Sequence, residues 1–130
     1  MRRIAAFVSF MFSTVLGLPA LAESAEGLWL TGPDRKGQVG HVQFARCGPA
    51  LCGTILRAYD ASGARVNTPN VGKRVIFGMS QESGSTYQGK MILPQFKTTI
   101  DGTMKVSGQQ MKLRGCYAGL CQTQTWTRLK

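Results

Sequence analysis

Four cysteines give this sequence its clearest chemical signal. They form two pairs with the same Cys-x4-Cys spacing, Cys47 with Cys52 and Cys116 with Cys121. An even number of cysteines indicates disulfides if the chain is exported, which residues 1–22 predict below, and four cysteines allow three connectivities. The short spacing, with glycine and small residues between, favours the two local bridges, each worth roughly 2 kcal/mol through loop closure. Zinc sites normally use closer Cys-x2-Cys pairs and reduced thiols, so we expect no metal site.

Acids, bases and nucleophiles that could perform catalysis are sparse. His41 is the only histidine, and its place in an alternating stretch favours an exposed or hydrogen-bonded strand residue over a catalytic base. A glycosidase needs two carboxylates facing each other across a cleft. Nearly all the carboxylates fall in predicted turns or near the N-terminus: Glu23, Glu26, Asp34, Asp60, Glu82 and Asp101. We therefore predict a non-enzyme with no catalytic residues and no cofactor.

Residues 1–22 have the pattern of a secretory signal peptide. Arg2 and Arg3 precede an apolar stretch over residues 4–18, and Ala20-Leu21-Ala22 forms a small-x-small cleavage site. The apolar stretch is shorter than the ~20 residues that span a bilayer. The first cysteine lies far beyond the cleavage point, which argues against a lipoprotein. These features predict a cleaved signal peptide at 1–22, one domain at 23–130, no membrane span, and a periplasmic or secreted location.

Basic residues outnumber acidic ones by 16 to 6, which gives the whole chain a net charge of +10. Loss of the two arginines in the signal peptide leaves a net charge of +8. This balance favours anionic surroundings such as lipid head groups or acidic glycans. Runs of Lys and Arg never exceed two residues, so the sequence does not predict nucleic-acid binding.

Alternating short stretches separated by Gly, Pro, Asn and Asp predict an all-β fold. The predicted strands cover residues 27–31, 38–47, 53–59, 74–79, 86–93, 98–106, 110–117 and 122–129. Eight strands in serial order, joined mostly by short turns, favour a small up-and-down antiparallel barrel, with a two-sheet sandwich as the alternative. A barrel of this size is either filled by side chains or holds one small ligand.

The inward faces of these strands are rich in Met and Phe, which suggests two roles. They could line a pocket for a small apolar or amphipathic ligand, or they could simply form the core of a small barrel. The candidate ligand-binding residues are Phe44, Phe77, Met79, Met91, Met104, Met111 and Leu113.

The stretch 60–72 is rich in Ser, Gly, Asn and Pro and is predicted to be one long loop. Together with the basic surface it suggests a second function, an envelope interaction module. Such a module would dock on anionic lipid, glycan or a protein partner, and it could act by inhibiting a hydrolase.

Several segments resemble the bacterial exported proteins of the uncharacterised DUF2147 family. The matching segments are Gly27-Leu28-Trp29, Cys47-Gly48-Pro49-Ala50-Leu51-Cys52-Gly53-Thr54-Ile55, Lys112-Leu113-Arg114-Gly115-Cys116 and Gln124-Thr125-Trp126-Thr127-Arg128. The family is similar to lipocalin and streptavidin barrels, in which a first-strand Trp packs beneath a basic residue of the last strand. This resemblance implies that Trp29 pairs with Arg128. We expect Trp29, Trp126 and Arg128 to close the barrel.

Overall fold

The protein is described by a computed structural model that covers residues 24–93 and 97–130, together with the isolated positions 9, 11, 13 and 14. The predicted signal peptide and its cleavage site therefore lie almost entirely outside the described residues. Nine strands are present in the described part of the chain: Gly27–Leu30 (β1), Val39–Cys47 (β2), Ala50–Tyr59 (β3), Arg65–Val66 (β4), Arg74–Ser83 (β5), Thr86–Leu93 (β6), Thr98–Ser107 (β7), Gln110–Tyr117 (β8) and Leu120–Arg128 (β9).

Eight of these strands form a closed antiparallel barrel in serial order, which confirms the predicted fold. Each strand except β4 pairs with its neighbours along the chain, and β1 pairs with both β2 and β9. Closure depends on only two residue pairs between the first and last strands, Trp29 with Arg128 and Leu30 with Thr127. The barrel therefore closes through the pair of strands that has the fewest paired residues.

The ninth strand, β4, corrects the prediction that residues 60–72 form a structureless loop. Val66 pairs with Ala58, and Arg65 pairs with Tyr59, so β4 continues the edge of β3 beyond the reach of β5. The Asp60 carboxylate accepts hydrogen bonds from the Ser62 hydroxyl and from the backbone N–H groups of Ser62 and Ala64. The Ser62 hydroxyl is the largest influence that lowers the pKa of Asp60.

Turn chemistry explains why two hairpins are tighter than predicted. The third strand begins at Ala50 rather than Gly53, because Gly48 adopts a positive φ of 81° and Pro49 follows it in a two-residue turn. The β8–β9 turn places Ala118 and Gly119 at φ values of 50° and 80°, the two left-handed positions of a type I′ turn. Both disulfides join the strands beside these turns, and the predicted connectivity is confirmed.

The two ends of the barrel differ. The β2–β3, β5–β6 and β7–β8 turns lie at one end together with residues 24–26 and 129–130, and we call this the closed end. The β1–β2, β3–β5, β6–β7 and β8–β9 connections lie at the other end, which we call the open end. Inward side chains fill the closed half: Ala25, Trp29, Phe44, Met79, Tyr87, Met104, Val106 and Met111. Packing therefore stabilises one half of the barrel more completely than the other.

Candidate functional site

The open end contains a cavity of about 360 Å³ that extends into the barrel. Its apolar lining includes Val42, Ile55, Val75, Ile76, Met91, Ile92, Ile100, Leu113, Leu120 and Trp126. Polar groups are confined to one side, where Thr31 and Arg35 follow β1 and Gln122 and Gln124 project from β9. The cavity is thus apolar within and polar along one side, and Arg35 is the charged residue in its lining.

Only part of the predicted ligand-binding set lines this cavity. Met91 and Leu113 do so. Four others belong to the packed core at the closed end and are at most 1% exposed: Phe44, Met79, Met104 and Met111. These four side chains fit the core interpretation of the Met- and Phe-rich face.

The structure places Phe77 on the outer face of the sheet, not in the interior. Phe77 lies opposite Lys90, which forms an exposed ion pair with Asp101. The ladder between β5 and β6 is irregular after Phe77, and Gly78 has a positive φ of 56°. This bulge lets Ile76 and Met79 both point inward, three positions apart, and a strict alternation cannot predict that.

The cavity is also lined by apolar residues outside the predicted ligand-binding set, among them Ile55, Val75, Ile76, Ile100 and Trp126. Ile100 shares a face with Met104 and Val106, so the period-2 pattern of β7 contained its signal. Ile55 follows the irregular register between β2 and β3, where His41 pairs with Arg57 but Val42 pairs with Ile55. Among the predicted ligand-binding residues, Phe77 is the one placed on the wrong face, and it stands beside such an irregularity.

Glycines in neighbouring strands shape the cavity floor. Gly89, Gly102 and Gly115 lie opposite one another on β6, β7 and β8. A Cβ at Gly102 would overlap the methyl group of Met91, and a Cβ at Gly115 would lie 2.6 Å from Cδ1 of Ile100. The missing side chains therefore leave the space that Met91 and Ile100 occupy, and both of these residues line the cavity.

The predicted closure residues occupy two different places. The Arg128 guanidinium lies 4.3 Å from the centre of the Trp29 ring and donates hydrogen bonds to the carbonyls of Glu26 (2.9 Å) and Ser24 (2.8 Å). The Trp29 indole N–H donates to the Ala25 carbonyl at 2.9 Å. Trp126 instead faces the cavity, and its indole N–H donates to the Gln124 side chain at 2.9 Å.

His41 is engaged in structural contacts. His41 Nδ1 lies 3.3 Å from an Arg57 guanidinium nitrogen, and the His41 ring lies 4.9 Å from that of Tyr59. Burial, followed by the nearby Arg57 charge, lowers the pKa of His41, so the neutral ring accepts the hydrogen bond from Arg57. Within the described residues, no three His, Cys, Asp or Glu side chains cluster to hold a metal ion.

A second concavity of about 480 Å³ lies on the outer face of β6, β7 and β8. Lys90, Asp101, Thr103 and Arg114 are among its lining residues, and it is broadly open to solvent. Its polar character suits it to a surface contact better than to an apolar ligand.

Both cysteine pairs are oxidised, which indicates an oxidising environment outside the cytoplasm. Among residues 24–93 and 97–130 and the four isolated positions, no helix is long and apolar enough to span a membrane.

Comparisons with known proteins agree with this geometry. Among solved structures, the fold is similar to a Helicobacter pylori protein described as "Protein HP1028 from the human pathogen Helicobacter pylori belongs to the lipocalin family". The two share 14% identity at a TM-score of 0.64, over 82% of this chain and 84% of that one. Comparison with curated proteins finds no match. A family model described as "Uncharacterized protein conserved in bacteria (DUF2147)" matches residues 27–128. The chain therefore belongs to the DUF2147 family of bacterial proteins and has a lipocalin-like barrel.

Proposed function

We propose that the protein is a non-catalytic, exported binding protein that holds a small apolar or amphipathic molecule in the open-end cavity. One observation carries this proposal: the interior is packed in its closed half, while the open half leaves about 360 Å³ with apolar walls. Ligand pockets typically measure roughly 300–1,000 Å³ and combine apolar walls with a few placed polar groups. The cavity has both properties.

The distribution of polar groups favours an amphipathic ligand. Ile76, Met91 and Ile100 form a continuous apolar row across β5, β6 and β7, because each lies opposite the next. An apolar chain gains about 25 cal/mol for each Å² of surface that it buries against such a wall. Arg35 and Gln122 lie on the polar side and would hydrogen-bond a head group. Their chemistry suits an oxygen-rich or anionic group.

Dye binding tests this function. We expect 1-anilinonaphthalene-8-sulfonate, an anionic amphiphile, to bind with enhanced fluorescence and to be displaced by decanoate. Ile55→Arg places a charge in the cavity wall and should weaken dye binding about tenfold or more. Leu56→Arg is the matched control, because Leu56 is the neighbouring residue and is 37% exposed; its dye affinity should not change.

A second cavity variant keeps the test valid if Ile55→Arg does not fold. Val75→Phe fills the cavity with an apolar ring and introduces no charge, so it should also exclude the dye. Thermal unfolding of each variant shows whether the barrel is intact. Equal dye affinity for the unaltered protein, folded Val75→Phe and Leu56→Arg would exclude the interior as the binding site.

The proposal also includes export to the periplasm or beyond, supported by the leader-like residues 1–22 and by the two disulfides. The alternative of an envelope interaction module remains a prediction. Two points of the stretch 60–72 are held to β3, since Val66 pairs with Ala58 and the Gly72 N–H donates to the Ile55 carbonyl at 2.7 Å.

A further inference from the structure

The closing strand β9 is longer than its partner β1, and among the described residues this mismatch leaves part of its edge unpaired. β1 has four residues and β9 has nine, and the two strands pair only through Trp29 with Arg128 and Leu30 with Thr127. Beyond Leu30 the chain leaves the sheet until β2 begins at Val39. In the described part of the chain, residues 120–126 of β9 pair with β8 alone.

The backbone groups of Cys121 and Thr123 face this uncovered side. Cys116 and Cys121 lie opposite each other with Cα atoms 4.0 Å apart. This is the close spacing of a non-hydrogen-bonded pair, since hydrogen-bonded pairs lie about 5.5 Å apart. Residues of such a pair direct their N–H and C=O groups away from each other, and the next such position on β9 is Thr123, opposite Arg114.

Contacts at the far end of the strand agree with this assignment. Leu129 has the same parity as Cys121 and Thr123, and its N–H donates to the Leu28 carbonyl of β1 at 2.8 Å. The side of β9 that β1 covers near residue 129 is therefore the side left uncovered near residue 121. Thr125 has the same parity, but the chain after β1 still lies beside it, since a Cβ at Gly32 would be 3.6 Å from the Thr125 carbonyl oxygen. The N–H and C=O groups of Cys121 and Thr123 line the remaining part, which we call the free edge.

The free edge has none of the sequence features that usually protect an exposed strand. Natural edge strands carry Lys, Pro or inward-pointing charges that prevent another strand from pairing with them. Residues 120–127 read Leu-Cys-Gln-Thr-Gln-Thr-Trp-Thr, with no proline and no charge. The threonines also favour extended backbone. The edge is therefore permissive for the addition of a strand.

A group of exposed cations lies beside the edge on the outer face. Arg114 lies opposite Thr123, Lys112 lies opposite Thr125, and Lys105 lies opposite Lys112. Like charges that face each other across strands are destabilising, so this group favours an anionic neighbour. An added strand would lie about 5 Å beyond β9, and the short threonines leave the long side chains of β8 free to reach over them.

We propose that the free edge of β9 binds an extended acidic segment of a partner protein by strand addition. Backbone hydrogen bonds to Cys121 and Thr123 hold the segment, and its outward carboxylates meet Lys112 and Arg114. Its inward side chains lie beside Leu120, which is 77% exposed at the cavity rim. A second copy of this chain is a poorer occupant, because two copies repel each other at a net charge of +10 each, or of +8 each without residues 1–22.

Synthetic peptides test this interaction on the purified protein. The probe is a fluorescent peptide of about ten residues that alternates Val and Glu, the length of a long strand. The matched control alternates Val and Lys. We expect only the Glu peptide to raise fluorescence anisotropy, with an affinity that falls as salt rises because surface charges are screened. Hydrogen exchange at the amides of Cys121 and Thr123 should slow when the Glu peptide is added.

Substitutions at Thr123 separate strand addition from plain charge attraction. Thr123→Pro removes the outward N–H, and proline is tolerated at strand edges whose N–H faces solvent. We expect about a tenfold or greater loss of affinity for the Glu peptide. Thr123→Val keeps the N–H and should bind as the unaltered protein does. If Thr123→Pro does not fold, hydrogen exchange in the unaltered protein decides the question.

Four results would overturn the proposal: absence of Glu-peptide binding, equal binding of both peptides, undiminished binding by folded Thr123→Pro, or exchange protection that appears away from β9. A concentration-dependent dimer with protected β9 amides in the absence of peptide would show instead that a second copy occupies the edge. Because the peptide binds outside the cavity, its failure leaves the dye-binding test of the proposed function unaffected.

Discussion

At the scale of single residues, Arg128 has the contacts that join the ends of the described domain. Its guanidinium covers the ring of Trp29, and its two terminal nitrogens reach the carbonyls of Ser24 and Glu26. A planar fork of donors suits this combination, because one side chain can stack on an aromatic ring and bond two carbonyls at once. Trp29 is fully buried beneath it, so the contact also shields the core.

We predict that Arg128→Lys destabilises the protein by about 1–3 kcal/mol, since a single ammonium cannot replace both hydrogen bonds and the stacking. Chemical denaturation followed by tryptophan fluorescence measures the change. Arg114→Lys is the matched control, because Arg114 is exposed on the outer face; it should stay within about 0.5 kcal/mol of the unaltered protein. Equal stability of the two variants would show that the Arg128 contacts contribute little to closure.

At the scale of strands, the sequence predicted what depends on alternation and turn chemistry. The Thr98–Ser107 strand has a regular pattern in which every second residue is buried, and its prediction as residues 98–106 was close. β4 was not predicted, because two residues are too short for a periodic signal and Asn, Pro and Gly surround them. The bulge at Gly78 was also hidden, since glycine permits it without requiring it.

The same distinction between regular strands and irregular pairings decides which cavity residues could be predicted from the sequence. Met91 and Leu113 were identified because they stand on regular strands, whereas Ile55 and Ile76 stand beside irregular pairings. Sequence alone also could not divide the inward residues into a packed half and an open half. That division depends on the side chains at the closed end, such as Trp29 and Tyr87, and on the non-local pairing that brings them together.

The glycines that face one another across β6, β7 and β8 give a prediction at this scale. Gly89→Ala should destabilise the protein by about 1–3 kcal/mol, because its Cβ would lie 2.7 Å and 2.8 Å from the carbonyl oxygens of Phe77 and Gly78, and backbone cannot easily move. Gly102→Ala should cost less, since the three atoms nearest to its Cβ all belong to the flexible side chain of Met91.

The two alanine variants should also differ in dye binding. Displacement of Met91 in Gly102→Ala would move its side chain into the cavity and weaken binding of 1-anilinonaphthalene-8-sulfonate. Denaturation curves and dye titrations of both variants provide the comparison. A larger loss of stability for Gly102→Ala than for Gly89→Ala would contradict this account of how Met91 is accommodated.

At the scale of the whole molecule, β1 and β9 are paired over fewer residues than the other neighbouring strands of the barrel. β1 and β9 share only two paired positions. They also lie far apart in the chain, since Glu26, next to β1, and Arg128, in β9, are separated by 102 residues. β6 and β7 share eight paired positions and are neighbours in sequence. Pairing over a long separation carries a loop-closure cost that local hairpins avoid. The largest loop-closure entropy cost of folding therefore falls on the strand pair with the fewest paired residues, β1 with β9.

Circular permutation tests whether the long sequence separation of β1 and β9 limits the rate of folding. Residues 24 and 130 both lie at the closed end, where the Leu28 N–H donates to the Lys130 carbonyl at 3.0 Å. A linker of about six Gly and Ser residues can join them, and new ends can be placed at the exposed turn after Gly84. We expect the permutant to form the same barrel and to refold roughly several-fold faster, because β1 and β9 become local partners.

The faster refolding follows from which seam is left non-local. In the permutant, closure falls to β5 and β6, which share five paired positions against the two of β1 and β9, so more contacts offset the same loop-closure entropy. The linear chain of residues 24–130 with the same linker appended is the control, and stopped-flow tryptophan fluorescence compares the two. Unchanged or slower refolding would show that closure at β1–β9 does not limit the rate of folding. The short first strand would then matter for binding and not for folding, because it leaves the free edge of β9.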